Sequence, residues 1–102
     1  MNKYRAVKTE IDGQVFDSKR EAMRWSELKM LERSKIISDL KRQVPYELRV
    51  NGVLICKYIA DFVYLDQQGR EVVVDVKGVR TPVYRLKSKL MLACHGLRVI
   101  EV

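Results

Sequence analysis

Apolar positions in the first third of the chain follow the period of a helix. They recur every three residues from Ala22 to Leu31, as expected for one buried helix face. Ser18 and Glu21 precede this stripe with the spacing of a capping box. A first helix is therefore predicted from Ser18 to about Ser34.

A second helix is predicted near the end of the chain. Thr81 supplies a capping hydroxyl, and Pro82 follows at the first helical position, where its missing amide costs nothing. His95 and Gly96 provide a stop signal. The residues expected on its buried face are Val83, Leu86, Leu90 and Ala93.

Strand-forming residues fill the region between the two helices. Residues 45–50 and 53–65 flank Asn51 and Gly52, a strong hairpin signal. The valine-rich segment 71–77 is predicted to lie at the centre of the sheet. Residues 97–102 are expected to return beside it as a parallel strand, because a helix connects the two.

These elements predict one α/β domain over residues 1–102, with the order α-β-β-β-α-β and a mixed central sheet flanked by helices. A short N-terminal hairpin is expected from residues 4–11 and 14–16, since Asp12 and Gly13 between them tolerate a tight turn.

Composition favours a polyanionic partner. Twenty Lys and Arg against 13 Asp and Glu give a net charge of +7, which suits nucleic acid. No apolar run approaches the roughly 20 residues of a membrane span, and the first residues lack a secretory signal. A cytoplasmic protein without a membrane partner is expected. Cys56 and Cys94 lack the spacing of a disulfide framework or a zinc site.

Two predicted strands bring acidic side chains together. Strict alternation places Asp61 on one face with Ile59 and Val63, and Ala60, Phe62 and Tyr64 on the other. On the next strand it places Asp75 on one face with Lys77. Cross-strand neighbours lie within about 5 to 8 Å, so two carboxylates and an ammonium are expected to meet. Buried charges of this kind are costly unless they are paired.

A divalent cation would offset that cost. Mg²⁺, or Mn²⁺ in its place, prefers carboxylate, water and phosphate oxygens, and Asp61, Asp75 and the carbonyl of Val76 would form an open coordination shell. Lys77 would orient the attacking water or stabilise transition-state charge. Gly78 would let a backbone approach closely.

An acid-x-Lys triplet is not diagnostic by itself. It occurs four times, beginning at Asp17, Glu27, Asp39 and Asp75. The last of these lies in a predicted strand, after a strand with an apolar-flanked aspartate and before a capped helix. A plain Asp/Lys ion pair remains the structural alternative.

Glu21 has two interpretations. It completes the capping box. At 100° per residue it also lies about 40° from Trp25 and about 20° from Leu28 on the helix, so it faces the sheet. There it would bind a second metal ion directly or through water, and both roles stay open.

This arrangement resembles the PD-(D/E)XK nuclease superfamily. By that resemblance Asp61 is the first acid and Asp75 the second. Lys77 stands at the lysine, and Glu21 at the first-helix glutamate of many members. Asp61 follows Ala60 where the superfamily name has proline. The resemblance implies a restriction-endonuclease-like core with Glu21, Asp61, Asp75 and Lys77 as the catalytic set.

Residues 16–22, 58–62 and 75–78 look more narrowly like a family of short phage and prophage proteins within that superfamily. The likeness spans about residues 11 to 92. Gln43 is similar to a glutamine that precedes the first strand in the transposon end-cutting nuclease subunit. The resemblance implies a Mg²⁺-dependent DNA endonuclease in a bacterial host, acting on branched or phage DNA, with phage or host replication or recombination proteins as partners.

Basic residues around the second helix are predicted to hold DNA phosphates near its amino end. They are Arg80, Arg85, Lys87 and Lys89. A solvated charged face is the alternative for each of them. Size and resemblance favour a homodimer with one site for each DNA strand. The alternative function is a non-catalytic basic nucleic-acid-binding accessory module on the same fold.

Overall fold

The computed structural model describes residues 8–77 and 79–102. A four-stranded sheet carries one helix on each face, and a small antiparallel hairpin precedes it. The elements are β1 (Thr9–Ile11), β2 (Gln14–Phe16), α1 (Lys19–Arg33), β3 (Ser38–Val50), β4 (Val53–Leu65), β5 (Glu71–Asp75), α2 (Pro82–His95) and β6 (Val99–Glu101). The predicted α/β class, mixed sheet and N-terminal hairpin are confirmed. The residues before position 8 that were assigned to that hairpin, and Gly78, lie outside the described residues.

The sheet has the order β3-β4-β5-β6, with antiparallel pairing except between β5 and β6. β3 and β4 pair from Ser38↔Leu65 to Val50↔Val53, whereas β5 pairs with β4 from Phe62 to Leu65. The β3–β4 hairpin therefore extends well beyond the rest of the sheet. β3 begins at Ser38 rather than at residue 45. Residues 38–44 have no strand pattern of their own, but they pair with β4 and so extend the strand.

Both helices begin and end where their caps predict. Ser18 Oγ accepts a hydrogen bond from the Glu21 amide at 3.1 Å, and Thr81 Oγ1 accepts one from the Tyr84 amide at 3.1 Å. Gly96 ends α2 with a φ of 68°, in the left-handed region that glycine adopts without strain. Within the described residues no helix is long and apolar enough to cross a membrane.

Two hydrophobic cores lie on opposite faces of the sheet. The core against α1 contains Phe16, Ala22, Trp25, Leu28, Ile37, Phe62 and Val74. The core against α2 contains Leu48, Tyr58, Ala60, Val63, Val73, Tyr84, Met91 and Val99. Since Val73 and Val74 fall in different cores, β5 alternates as predicted.

β4 does not alternate regularly. Ala60 packs against α2 and Phe62 against α1, so the prediction that they share a face is wrong. The reversal coincides with Gln43 on β3, which has a φ of 54° in mid-strand and lies between the register pairs Arg42↔Phe62 and Val44↔Ala60. The left-handed backbone at Gln43 interrupts the side-chain alternation of β3 and of its partner β4. On β4 the interruption falls at Asp61, between Ala60 on the α2 side and Phe62 on the α1 side.

The buried face of α2 also differs from the prediction. Tyr84 and Met91 are buried, whereas Val83 and Leu86 are 63% and 56% exposed. Tyr84 and Met91 are seven residues apart and share a helix face. At the start of the helix the Tyr84 ring, rather than the smaller Val83 side chain, packs into the core.

Candidate carboxylate-lysine site

A cleft of about 730 Å³ opens between the amino ends of the two helices. α1 contributes Glu21, β4 contributes Asp61, and β5 with the residues after it contributes Asp75, Val76 and Lys77. Every residue predicted for the catalytic and metal set thus lines one cavity. The cleft lies at the carboxyl end of β5, where that strand separates from β4.

Asp75 is the most deeply buried acid of the β-strands. Its side chain is held between two donors: the Tyr58 hydroxyl is 2.5 Å from Oδ2, and Lys77 Nζ is 3.1 Å from Oδ1. Burial, followed by the hydrogen bond and charge of Asp61, raises the pKa of Asp75 to about 6, although Tyr58 and Lys77 act in the opposite direction. Asp75 therefore changes charge near neutral pH.

Asp61 is partly buried at the reversal of β4. Its Oδ2 accepts a hydrogen bond from the Val76 amide at 2.8 Å, and Oδ1 accepts one from Gln43 Nε2 at 3.4 Å. Burial raises the pKa of Asp61, and the charge of Glu21 adds to the rise, whereas the hydrogen bonds from Asp75 and Val76 lower it. The three acids are thus electrostatically coupled.

Of its two predicted placements, Glu21 takes the one that faces the sheet. Its amide donates to Ser18 Oγ at the start of α1, but its carboxylate does not close the capping box. The carboxylate is 5% exposed and lies within hydrogen-bonding reach of Asp61. Oε2 has no hydrogen-bond partner among residues 8–77 and 79–102, although Arg42 Nη2 is 3.5 Å away. Burial is the main cause that raises the pKa of Glu21. A buried carboxylate oxygen without a donor is unusual in proteins.

Lys77 is fixed by two contacts. Besides the ion pair with Asp75, its ammonium lies 3.9 Å from the centroid of the Tyr84 ring, a cation–π geometry. The Lys77 side chain is 25% exposed, so the charge lies at the floor of the cleft but within reach of a ligand.

The sequence pattern did not indicate Tyr58 or Tyr84. Tyr58 is three residues from Asp61, which in a regular strand would place it on the other face. It reaches Asp75 because β4 reverses at Asp61. The position of Tyr84 could have been inferred from the sequence. It lies in the first turn of α2, whose Thr81 cap follows soon after the Asp75 strand, so its side chain is placed near Asp75.

A family model described as "Protein of unknown function (DUF1064)" matches residues 1–97. The chain belongs to the DUF1064 family. No match to a curated protein was found. The family description assigns no activity, so the resemblance to PD-(D/E)XK nucleases stays a prediction.

The predicted phosphate contacts are only partly brought to the DUF1064 cleft. Lys87 lines it. Arg80 instead pairs with Glu101 at 2.5 Å and lines a neighbouring pocket of about 310 Å³. Arg85 and Lys89 are exposed elsewhere on α2, because the helix is rotated relative to the predicted stripe.

Two further basic residues line the same cleft without having been predicted. Arg20 precedes Glu21 at the start of α1, and its Nη1 donates to the Lys77 carbonyl at 3.1 Å. Lys57 lies on the part of β4 that extends beyond β5. Because these residues come from different elements, their spacing along the chain gave no signal.

The DUF1064 carboxylates suit a divalent cation in kind. They are hard oxygen ligands of the type that Mg²⁺ prefers. Glu21 Oε2 is buried and accepts no hydrogen bond within the described residues, so it is available as a ligand atom. As they stand, no three acidic, histidine or cysteine side chains in the described part of the chain are close enough to hold one ion. Asp61 and Asp75 instead accept hydrogen bonds or an ion pair from protein donors, and these contacts would have to be exchanged for an ion to bind.

Proposed function

We propose that this DUF1064 protein is a metal-dependent DNA endonuclease with a PD-(D/E)XK-type, restriction-endonuclease-like core, acting on DNA in the bacterial cytoplasm. One observation carries the proposal: three coupled carboxylates and a positioned lysine share the floor of a cleft with a basic rim. Perturbed acids of this kind in a cleft are typical of catalytic sites.

The acids would hold the cofactor. Glu21, Asp61 and Asp75 carry three carboxylates in the cleft, and Val76, whose carbonyl would complete the coordination shell, also lines it. Bound Mg²⁺ or Mn²⁺ would polarise the scissile phosphate and offset charge on the leaving oxygen. Binding would also stabilise the ionised forms of all three acids, whose pKa values are raised without it.

The cations have separate roles. Lys77 is held at its Nζ by Asp75 and the Tyr84 ring, so its charge is positioned before substrate arrives. It would orient the attacking water or hold a phosphate oxygen in the transition state. Arg20 and Lys87 on opposite helices of the cleft would fix the flanking phosphates.

The test compares two acid-x-Lys triplets of this chain. Asp39 and Lys41 form an exposed ion pair at 3.4 Å outside the cleft and serve as matched controls for Asp75 and Lys77. Branched, flapped and linear DNA are incubated with Mg²⁺ or Mn²⁺. Asp75→Asn and Lys77→Met should each lower the cutting rate by about 100-fold or more, whereas Asp39→Asn and Lys41→Met should cut as the wild type does.

Two results would overturn the proposal. One is that no substrate is cut with either ion. The other is that the cleft variants, shown to be folded by circular dichroism, cut as fast as the controls.

A second candidate function is a non-catalytic basic nucleic-acid-binding accessory module. The observation that favours it is that both Asp61 and Asp75 already accept protein hydrogen bonds or an ion pair on each oxygen. In that case DNA binds without being cut, and Mg²⁺ does not raise the melting temperature. Asp75→Asn would then bind DNA as tightly as wild type.

We also propose that the active form is a homodimer, since one small domain contacts little duplex and a two-fold pair addresses both strands. Phage or host replication or recombination proteins are its proposed partners. Gel filtration with light scattering tests the dimer: a strict monomer in the presence of DNA would refute it.

A further inference from the structure

The mouth of the carboxylate cleft carries exposed apolar side chains as well as basic ones. Ile59, Val79 and Val83 line the cleft and are 55%, 47% and 63% exposed. We call these three residues the apolar lip. They come from β4, from the segment after β5 and from the first turn of α2, so three separate segments contribute to the lip.

The exposure of Val83 does not follow from the apolar pattern of α2. That pattern predicts that Val83 is buried, yet Tyr84 is buried in its place and Val83 lines the cleft. Clustered exposed apolar residues beside polar ones are typical of a binding surface. The buried aromatic residues of the cleft do not offer this contact, because the Tyr84 ring already carries Lys77.

Basic residues indicate what covers the apolar lip. Lys57 and Ile59 are alternate residues of β4 and therefore share a face, and Arg20 and Lys87 line the same cavity. A ligand that fits must combine anionic groups with a flat apolar surface. A nucleotide does so, since its phosphates are anionic and its base has two apolar faces.

Base pairing decides which nucleotide can use this surface. In a continuous duplex the bases are stacked inside, and the backbone presents phosphate and sugar to a protein. A base can reach an apolar surface when it is unpaired or extruded, as in enzymes that hold a flipped base between apolar side chains. The cleft of about 730 Å³ falls within the roughly 300 to 1,000 Å³ of pockets that hold whole small molecules.

We propose that the cleft takes one unpaired nucleotide of a DNA strand, with its base against the apolar lip and its phosphate toward Lys77 and the basic residues Arg20 and Lys87. The substrate class is then DNA with unpaired nucleotides at the contact point, such as a flap or a splayed branch, and not continuous duplex. The cutting of such DNA rests on the proposed nuclease function, whereas its preferential binding does not.

The first experiment measures binding without cutting. Wild-type protein in Ca²⁺ is titrated with a duplex that carries a single-stranded flap and with a continuous duplex of equal length. The base next to the flap junction is 2-aminopurine, whose fluorescence reports its surroundings, and anisotropy gives the affinity. The flap should bind about tenfold or more tightly than the duplex, with a change in 2-aminopurine fluorescence.

The matched variants identify the surface. Ile59→Ser and Val83→Ser should each weaken flap binding by about fivefold or more and leave duplex binding unchanged. Their controls are Ile100→Ser and Val53→Ser, at positions 47% and 60% exposed outside the cleft lining, and these should behave as wild type. All four side chains are exposed, so the fold should survive, and circular dichroism checks this.

The outcomes separate this inference from the proposed function. Flap preference that depends on the apolar lip, with no cutting in Mg²⁺, supports the inference and defeats the nuclease. Asp75-dependent cutting of duplex and flap at equal rates supports the nuclease and defeats the inference. Equal loss of flap and duplex binding in the lip variants, or the same loss in the controls, also overturns it.

Discussion

Replacing Asp75 by Asn tests whether the site holds its charges at a cost to stability. Burial and Asp61 raise the pKa of this carboxyl from 3.8 to about 6. A difference of about two pH units corresponds to about 3 kcal/mol of unfavourable free energy when Asp75 is ionised in the folded protein. Asparagine has no such charge and can still accept the Tyr58 hydroxyl, but it removes the counter-charge of Lys77. We therefore expect the free energy of unfolding at about pH 7.5 to rise by about 1 to 2 kcal/mol.

The pH dependence has a defined sign. A carboxyl whose folded-state pKa is raised stabilises the fold fully below its unfolded value of 3.8, and that stability is lost as pH rises through about 6. Between these values wild type should lose up to about 1.4 kcal/mol per pH unit relative to Asp75→Asn. Above about pH 7 the difference should be constant. Comparison of the two proteins removes the common contributions of the other acids.

Urea denaturation in the absence of divalent ions measures these differences, and Trp25 is the natural probe because it is the single tryptophan and is buried. For a chain of this size, about 1 kcal/mol shifts the melting temperature by about 4 to 8 °C. The reasoning fails if Asp75→Asn is less stable than wild type by more than about 1 kcal/mol near pH 7.5. A stability difference that does not change between about pH 4 and 7 would contradict it equally.

Three further substitutions test the contacts around the site. Tyr58→Phe removes a hydrogen bond that lowers the pKa of Asp75. The proposed cutting uses ionised Asp75, so its rate should rise with pH, and in this variant the rise should move to higher pH. Urea denaturation should show a loss of about 1 to 3 kcal/mol, and an unchanged pH–rate profile would count against this role. Tyr84→Leu removes the ring beneath Lys77 and should lower kcat with little change in KM, while Tyr84→Phe keeps the ring and should restore the rate; equal rates in both variants would contradict the cation–π role. Ser18→Ala deletes the α1 cap and should lower the free energy of unfolding by about 1 kcal/mol, and a change below about 0.3 kcal/mol would show that the cap bond is dispensable.

Local signals determined much of this fold. The Asn51 and Gly52 turn, the Ser18 and Thr81 caps and the Gly96 stop each act within a few residues, and the structure has all of them where they were expected. The sequence also predicted that Asp61 and Asp75 lie close together, because they were assigned to neighbouring strands and because side chains alternate regularly along β5. These features depend on short-range stereochemistry that a sequence displays directly.

The rest depended on contacts across the sheet. Gln43 has no residue-type signal for a φ of 54°, yet this angle reverses two strands and brings Tyr58 to Asp75. The face of α2 was mispredicted because its apolar residues are spread around the helix, and Tyr84 is selected by packing against Lys77 and the α2-side core. The sequence did not predict that Arg20 and Lys57 line the cleft, because they are far apart along the chain and come to the same cavity only in the folded protein.

The placement of two cores on opposite faces of one sheet has a consequence for when the site exists. Glu21 belongs to α1, on one face of the sheet. Lys77 is in contact with the Tyr84 ring of α2, on the other face. The backbone around Val76 is held by Val102, which follows β6: the Val102 amide donates to the Asp75 carbonyl, and the Lys77 amide donates to the Val102 carbonyl. A partly folded chain with one helix undocked holds an incomplete set of acids and cations. The complete site therefore exists only when both helices are packed on the sheet, so a ligand that bound at this cleft would report complete assembly of the domain.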